Sequence, residues 1–146
     1  MTVPVNTRFK AAELAFCLKQ ADVKALFLAD KFLNIDFMAF LREAEPAVDT
    51  ALPSAALPFL QHVVVMGDDV PRAAIAWKAF RKLAETVGES HFQADCALVT
   101  PDDPLLMQFT SGTTAYPKGV LLTHHNMLRN AWSCGTRMGV TPEDRY

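Results

Sequence analysis

Apolar residues recur at helical spacing early in the chain. Ala11, Leu14, Ala15 and Leu18 share one side of a helix predicted over residues 11–21. Glu13 lies in its first turn, where the helix dipole favours a carboxylate. Asp22 and Val23 end that helix, and residues 24–29 are an apolar run of strand length. Asn34 is the expected N-cap of a second helix with Phe37, Phe40, Leu41 and Ala44 on one face, stopped by Pro46. Residues 48–60 hold Pro53 and Pro58 among alanines and read as an irregular crossing. His62-Val63-Val64-Val65-Met66 is the clearest strand, apolar and β-branched without interruption, the pattern of a strand covered on both faces.

After the turn Gly67-Asp68-Asp69, Pro71 is expected to open a third helix that buries Ala73, Ala76, Trp77, Phe80, Leu83 and Ala84 and stops at Gly88. Residues 89–104 are polar and contain proline, so they read as a connector. Residues 106–110 and 119–123 are two short strands. Asn126 is the expected cap of a last helix whose Met127, Leu128, Ala131 and Trp132 face inward. Strands alternating with helices predict an α/β fold: a layered αβα arrangement, its sheet partly parallel, joined by right-handed crossovers.

Composition narrows the function classes. The chain has 146 residues, 51% of them hydrophobic and 21% charged, with a net charge of −2. No basic stripe supports nucleic-acid binding. The cluster Arg72, Lys78, Arg81 and Lys82 is interrupted by Asp68, Asp69 and Glu85 and reads as a solvated helix face. Cys17, Cys96 and Cys134 form no close pair and read as reduced, buried thiols of a cytoplasmic protein. Neither a signal peptide nor a transmembrane segment is visible.

The candidate chemistry lies between the last two strands. Thr110-Ser111-Gly112-Thr113-Thr114-Ala115-Tyr116-Pro117-Lys118-Gly119 carries four aliphatic hydroxyls, two glycines and a lysine. Converging hydroxyls and main-chain N–H groups, with a mobile ammonium, suit the wrapping of a polyphosphate. The spacing is not that of a Walker A loop, because Pro117 precedes Lys118 and Gly119 follows it. Adjacent His124 and His125, read as strand residues, point to opposite faces and cannot share an ion.

Residues 110–119, continuing through Val120-Leu121-Leu122-Thr123-His124, resemble the phosphate-binding signature of the adenylate-forming enzymes, usually Thr-Ser-Gly-Thr-Thr-Gly-x-Pro-Lys-Gly. Ala115 stands where that family has glycine; if the position needs a left-handed backbone, alanine strains it by roughly 1–2 kcal/mol. Pro4-Val5-Asn6-Thr7-Arg8-Phe9 and Glu13-Leu14 are similar to a segment of acyl-CoA synthetases.

The resemblance implies a partial AMP-binding N-terminal domain over residues 1–146, without the family's C-terminal domain and its catalytic lysine. It implies that Thr110, Ser111, Gly112, Thr113 and Thr114 surround the ATP phosphates and that Lys118 neutralises departing pyrophosphate. Thr113 would also touch Mg²⁺, whose carboxylate partner lies in a later motif. ATP/AMP, a carboxylic acid and coenzyme A are the implied ligands, with a place in fatty acid metabolism. The leading expectation is a piece of an ATP-dependent acid–thiol ligase, incomplete for turnover alone. The alternatives are a non-catalytic nucleotide-binding remnant that associates with an intact synthetase, and another adenylation enzyme of luciferase-like or peptide-synthetase type. Such a piece is expected to expose a sheet edge and an apolar face, and to be poorly soluble or partly molten.

Overall fold

Helix α1 (Ala11–Gln20) starts where the Glu13 carboxylate accepts the Lys10 N–H at 2.8 Å. It closes through Asp22, whose φ of +46° lets the Val23 N–H reach the Leu18 carbonyl at 3.0 Å. Strand β1 (Ala25–Ala29) follows, then a small hairpin of β2 (Lys31–Phe32) and β3 (Ile35–Asp36). The computed structural model describes residues 1–110 and 117–145.

Asn34 belongs to the turn of that hairpin and caps nothing. Asp36 is the N-cap of α2 (Phe37–Ala44), its Oδ1 accepting the Ala39 N–H at 2.8 Å. The hairpin puts Asp36, and not Asn34, in extended geometry one residue before the first helical turn. As expected, α2 ends ahead of Pro46, which opens a 3-10 turn (Pro46–Asp49). Glu45, only 2% exposed, accepts from the Ala47 N–H and the Ser54 hydroxyl. The Ser54 oxygen in turn accepts the Leu57 N–H at 3.1 Å, so one buried carboxylate organises the irregular crossing.

Strand β4 (His62–Met66) lies parallel to β1 with Leu26 opposite Val63, and Val63, Val64 and Val65 are almost wholly buried. A short β5 (Ile75–Ala76) extends the sheet in the order β1-β4-β5, all parallel. The expected α/β class holds. The core joins Leu18, Met38, Leu41, Val48, Leu60 and Val63.

The region after β5 departs from expectation. Residues 75–76 pair with β4, so the third helix starts only at Trp77: α3 spans Trp77–Leu83 and passes into a 3-10 turn (Ala84–Thr86). Gly88 then begins α4 (Glu89–Ala97) where a connector was expected. That helix has no apolar side, which is why hydrophobic periodicity could not find it. Trp77 stacks on Phe80 at 5.9 Å and Phe80 meets Phe27 edge-on at 5.1 Å, yet Trp77 stays 38% exposed.

Strands β6 (Pro104–Thr110) and β7 (Lys118–Thr123) form an antiparallel hairpin, and α5 (His124–Met138) leaves its end. Asn126 is not the cap of α5. Thr123 is, its hydroxyl accepting the Asn126 N–H while the Asn126 side chain accepts the Thr123 N–H. The expected inward face of α5 lies open, with Leu128 69% and Trp132 66% exposed. Every buried described residue falls between Ala11 and Pro71.

Two groups of polar contacts brace the carboxyl ends of β1 and β4. Asp30 accepts the N–H groups of Lys31, Asp68 and Asp69. Arg42 grips Asp69 through two bonds of 2.6 and 2.8 Å and Asp49 through Nε. The main-chain donors of Asp68 and Asp69 hold the Asp30 carboxyl below its ordinary value of 3.8, and the Arg42 guanidinium does the same for Asp69. With folded values depressed, their stabilisation is complete above the unfolded value and disappears as pH falls through the folded ones. Acid titration monitored by circular dichroism is expected to show an unfolding limb beginning below about pH 4, and Asp30→Asn should flatten that limb.

Cys17 is fully buried, as expected, but Cys96 and Cys134 are exposed. Burial, with Glu13 adding to it, pushes the Cys17 thiol up to about 11. Iodoacetamide at pH 8 should modify Cys96 and Cys134 within minutes and spare Cys17 until the core unfolds, as read by peptide mass spectrometry.

Candidate phosphate-binding hairpin

The β6–β7 ladder pairs Thr110 with Lys118 and Phe109 with Gly119. Directly opposed residues share a face of the sheet. Phe109 points toward α1 and meets Phe16 at 6.3 Å. Gln108, Thr110, Lys118 and Val120 lie on the exposed face. Gly119 lets the Met107 and Phe109 side chains lie close against its backbone: a Cβ there would lie 3.1 Å from Met107 Sδ and 3.4 Å from Phe109 Cε1.

Thr110 and Lys118 therefore stand side by side at the mouth of the loop, and the Thr110 hydroxyl donates to the Lys118 carbonyl over 3.4 Å. Among the described residues Lys118 enters no ion pair. An exposed hydroxyl beside an uncommitted ammonium fits a polyanionic group such as a nucleotide phosphate. Ser111, Gly112, Thr113 and Thr114, together with Ala115, lie outside the described residues. Among the described residues no group of His, Cys, Asp and Glu could hold a metal ion.

The other end of the hairpin is held from outside the signature. The Thr2 N–H donates to the Leu105 carbonyl and the Met107 N–H donates to the Thr2 carbonyl, at 2.8 and 2.9 Å. His124 and His125 occupy the first turn of α5, not a strand. Their N–H groups donate to the carbonyls of Asp103 and Pro101. With the Asn126 N–H taken by Thr123, the amides of that first turn are committed to protein partners. Asp103 locks the preceding turn by accepting the Thr100 N–H and hydroxyl, bonds that hold its carboxyl below the ordinary range with a smaller contribution from His124. Sequence reasoning missed this clamp; its signal was Asp103 three residues after Thr100, the spacing of a side-chain-closed turn.

The profile described as AMP-binding enzyme matches residues 1–146. The chain is 33% identical over 144 residues to the mitochondrial medium-chain acyl-CoA ligase ACSF2 of Danio rerio, spanning 94% of this chain and 23% of that one. It is 34% identical over 145 residues to the 3-[(3aS,4S,7aS)-7a-methyl-1,5-dioxo-octahydro-1H-inden-4-yl]propanoyl:CoA ligase of Rhodococcus jostii (strain RHA1), spanning 99% of this chain and 27% of that one. The anthranilate CoA ligase AuaEII, solved in complex with anthranoyl-AMP, superposes with a TM-score of 0.70 at 22% identity, over 92% of this chain and 22% of that one. The chain thus spans about a quarter of the length of the curated relatives it matches. A profile match over residues 1–146 and ligase relatives sharing a third of its residues establish that the chain belongs to the AMP-binding enzyme family.

Proposed function

We propose that this chain supplies the triphosphate grip of an ATP-dependent acid–thiol ligase. In that reaction a carboxylate attacks the α-phosphate of ATP, giving an acyl-adenylate and pyrophosphate. The thiol of coenzyme A then takes the acyl group and AMP leaves. The observation that carries the reading is the pairing of Thr110 with Lys118 across the mouth of the loop, on the solvent face of the hairpin. Thr110 would turn its hydroxyl proton from the Lys118 carbonyl to a phosphate oxygen, and Lys118 would neutralise charge as pyrophosphate departs. Ser111, Gly112, Thr113 and Thr114 would complete the cradle, Thr113 also touching Mg²⁺. Residues 1–146 would form part of an N-terminal domain. The adenine pocket, the acyl pocket and a second domain's catalytic lysine would come from the remaining length of a ligase polypeptide.

The acyl-CoA ligase names of the relatives support this class over luciferase-like or peptide-synthetase adenylation. The open apolar face of α5 favours a second element of the proposal: the chain binds phosphate by itself, and full turnover needs it docked to the rest of a synthetase.

The test is calorimetric titration of the purified chain with ATP, pyrophosphate and AMP in the presence of Mg²⁺. A grip on the β- and γ-phosphates binds ATP and pyrophosphate comparably and AMP far more weakly. Equal binding of AMP and ATP, or binding of none of the three, sinks the reading.

A further inference from the structure

Among the described residues, the exposed face of the β6–β7 hairpin carries a polar side chain that the phosphate grip leaves unused. Gln108 lies opposite Val120, just as Thr110 lies opposite Lys118. Residues two apart on a strand point to the same side, so Gln108 shares its face with Thr110 and Lys118. All three are exposed. Among the described residues the Gln108 amide enters no side-chain hydrogen bond. Farther from the loop, Leu106 and Leu122 on that face are half-buried, so its polar part ends at Gln108.

The charge on this face has one sign. Neither β6 nor β7 contains a carboxylate, and Lys118 is the only charged residue of the two strands. A glutamine there offers amide N–H donors without adding charge that repels an anion. Spacing decides what reaches it. Thr110 and Lys118, directly opposed, stand about 5 Å apart at the mouth of the loop. Gln108 lies about 7 Å farther back, two residues along a strand that rises about 3.4 Å per residue. A phosphate held at the mouth occupies Thr110 and Lys118. Only a chain that continues past them along the strands comes to Gln108.

We propose that Gln108 is a further binding residue, donating its side-chain N–H to the phosphate that overhangs the mouth of the loop. The inference rests on the reading of the loop as a grip on the β- and γ-phosphates. With those two groups in the loop and at its mouth, the overhanging group of ATP is the α-phosphate, which the carboxylate attacks. The hairpin ladder fixes the Gln108 main chain, so the donor is in place before charge redistributes on that phosphate. The consequence is selection by chain length. Gln108 contributes to the binding of ATP and inorganic tripolyphosphate, whereas pyrophosphate ends at the mouth and gains nothing from it.

The probes are inorganic tripolyphosphate, pyrophosphate and ATP, each titrated calorimetrically into the purified chain with Mg²⁺ present. Gln108→Leu keeps the bulk of the side chain and removes its donors. It should weaken tripolyphosphate and ATP about threefold to tenfold and pyrophosphate less than about twofold, with the thermal midpoint unchanged. Gln108→Lys should act in the other direction, tightening tripolyphosphate about threefold to tenfold more than pyrophosphate, a gain that a damaged fold cannot produce. Lys118→Ala is the reference, because it should weaken both inorganic ligands. Equal losses for tripolyphosphate and pyrophosphate in Gln108→Leu, or no loss, overturn the proposal, as does a Gln108→Lys variant that favours neither ligand. If Lys118→Ala still weakens both ligands in that case, the phosphate grip stands and only the role of Gln108 falls. A parent chain that binds none of the three probes ends both.

Discussion

Lys118→Ala lowers the affinity of the chain for ATP and pyrophosphate by about 10- to 100-fold and leaves its thermal midpoint unchanged. A charge-assisted hydrogen bond to phosphate contributes about 1.5–3 kcal/mol, and each 1.4 kcal/mol is a factor of ten. Lys118 is exposed, and among the described residues it enters no ion pair, so its removal costs the fold nothing comparable. Thr110→Val, which removes one neutral donor, should weaken binding only about threefold to tenfold. Calorimetry with pyrophosphate alone separates the phosphate grip from any contact to the base. An equal loss for AMP, or a fall in midpoint matching the loss of binding, would show Lys118 acting through the fold.

Gly67→Ala is expected to destabilise the core by about 3 kcal/mol, the upper end of what overpacking costs, and to lower the midpoint by roughly 6–12 °C. Gly67 has a φ of +156°, and a Cβ added there would lie 2.0 Å from Asp30 Cγ and 2.2 Å from Asp30 Oδ1. The carboxyl cannot step aside freely, because it holds the N–H groups of Lys31, Asp68 and Asp69. Nor can the main chain yield, since the Asp30 carbonyl accepts from Phe37 and Met38 at the start of α2. The double variant Asp30→Gly with Gly67→Ala removes the clash and should be less damaged than the sum of the single changes. A midpoint for Gly67→Ala within a degree or two of the parent would mean that the turn after β4 does not depend on this close approach.

The segments read correctly from the sequence are those whose signal is local. The helix from Ala11 has regular apolar spacing and a first-turn glutamate, and the three valines of β4 announce a strand covered on both sides. The phosphate-loop signature named its family because its residue order is specific. Errors cluster where a neighbour in space decides. Ile75-Ala76 became a strand because β4 offered an edge, which delayed the third helix to Trp77. Asn34 lost the capping role to Asp36 because the β2–β3 hairpin set the chain's direction into α2. Helix α4 offers no apolar stripe at all, so its existence had no trace in periodicity.

Residue order by itself determined the α/β class, the valine strand and the position of the Thr110 to Gly119 loop, because spacing, β-branching and turn chemistry act within a few residues of one another. The tertiary structure decided what surrounds them. It set Thr110 beside Lys118 through the register of β6 and β7, folded the Asp30 carboxylate into the place a Gly67 side chain would occupy, and left α5 and the outer edge of β1 uncovered. Pairing and burial depend on which distant elements meet, and a pattern of apolar and polar letters carries no distance between them.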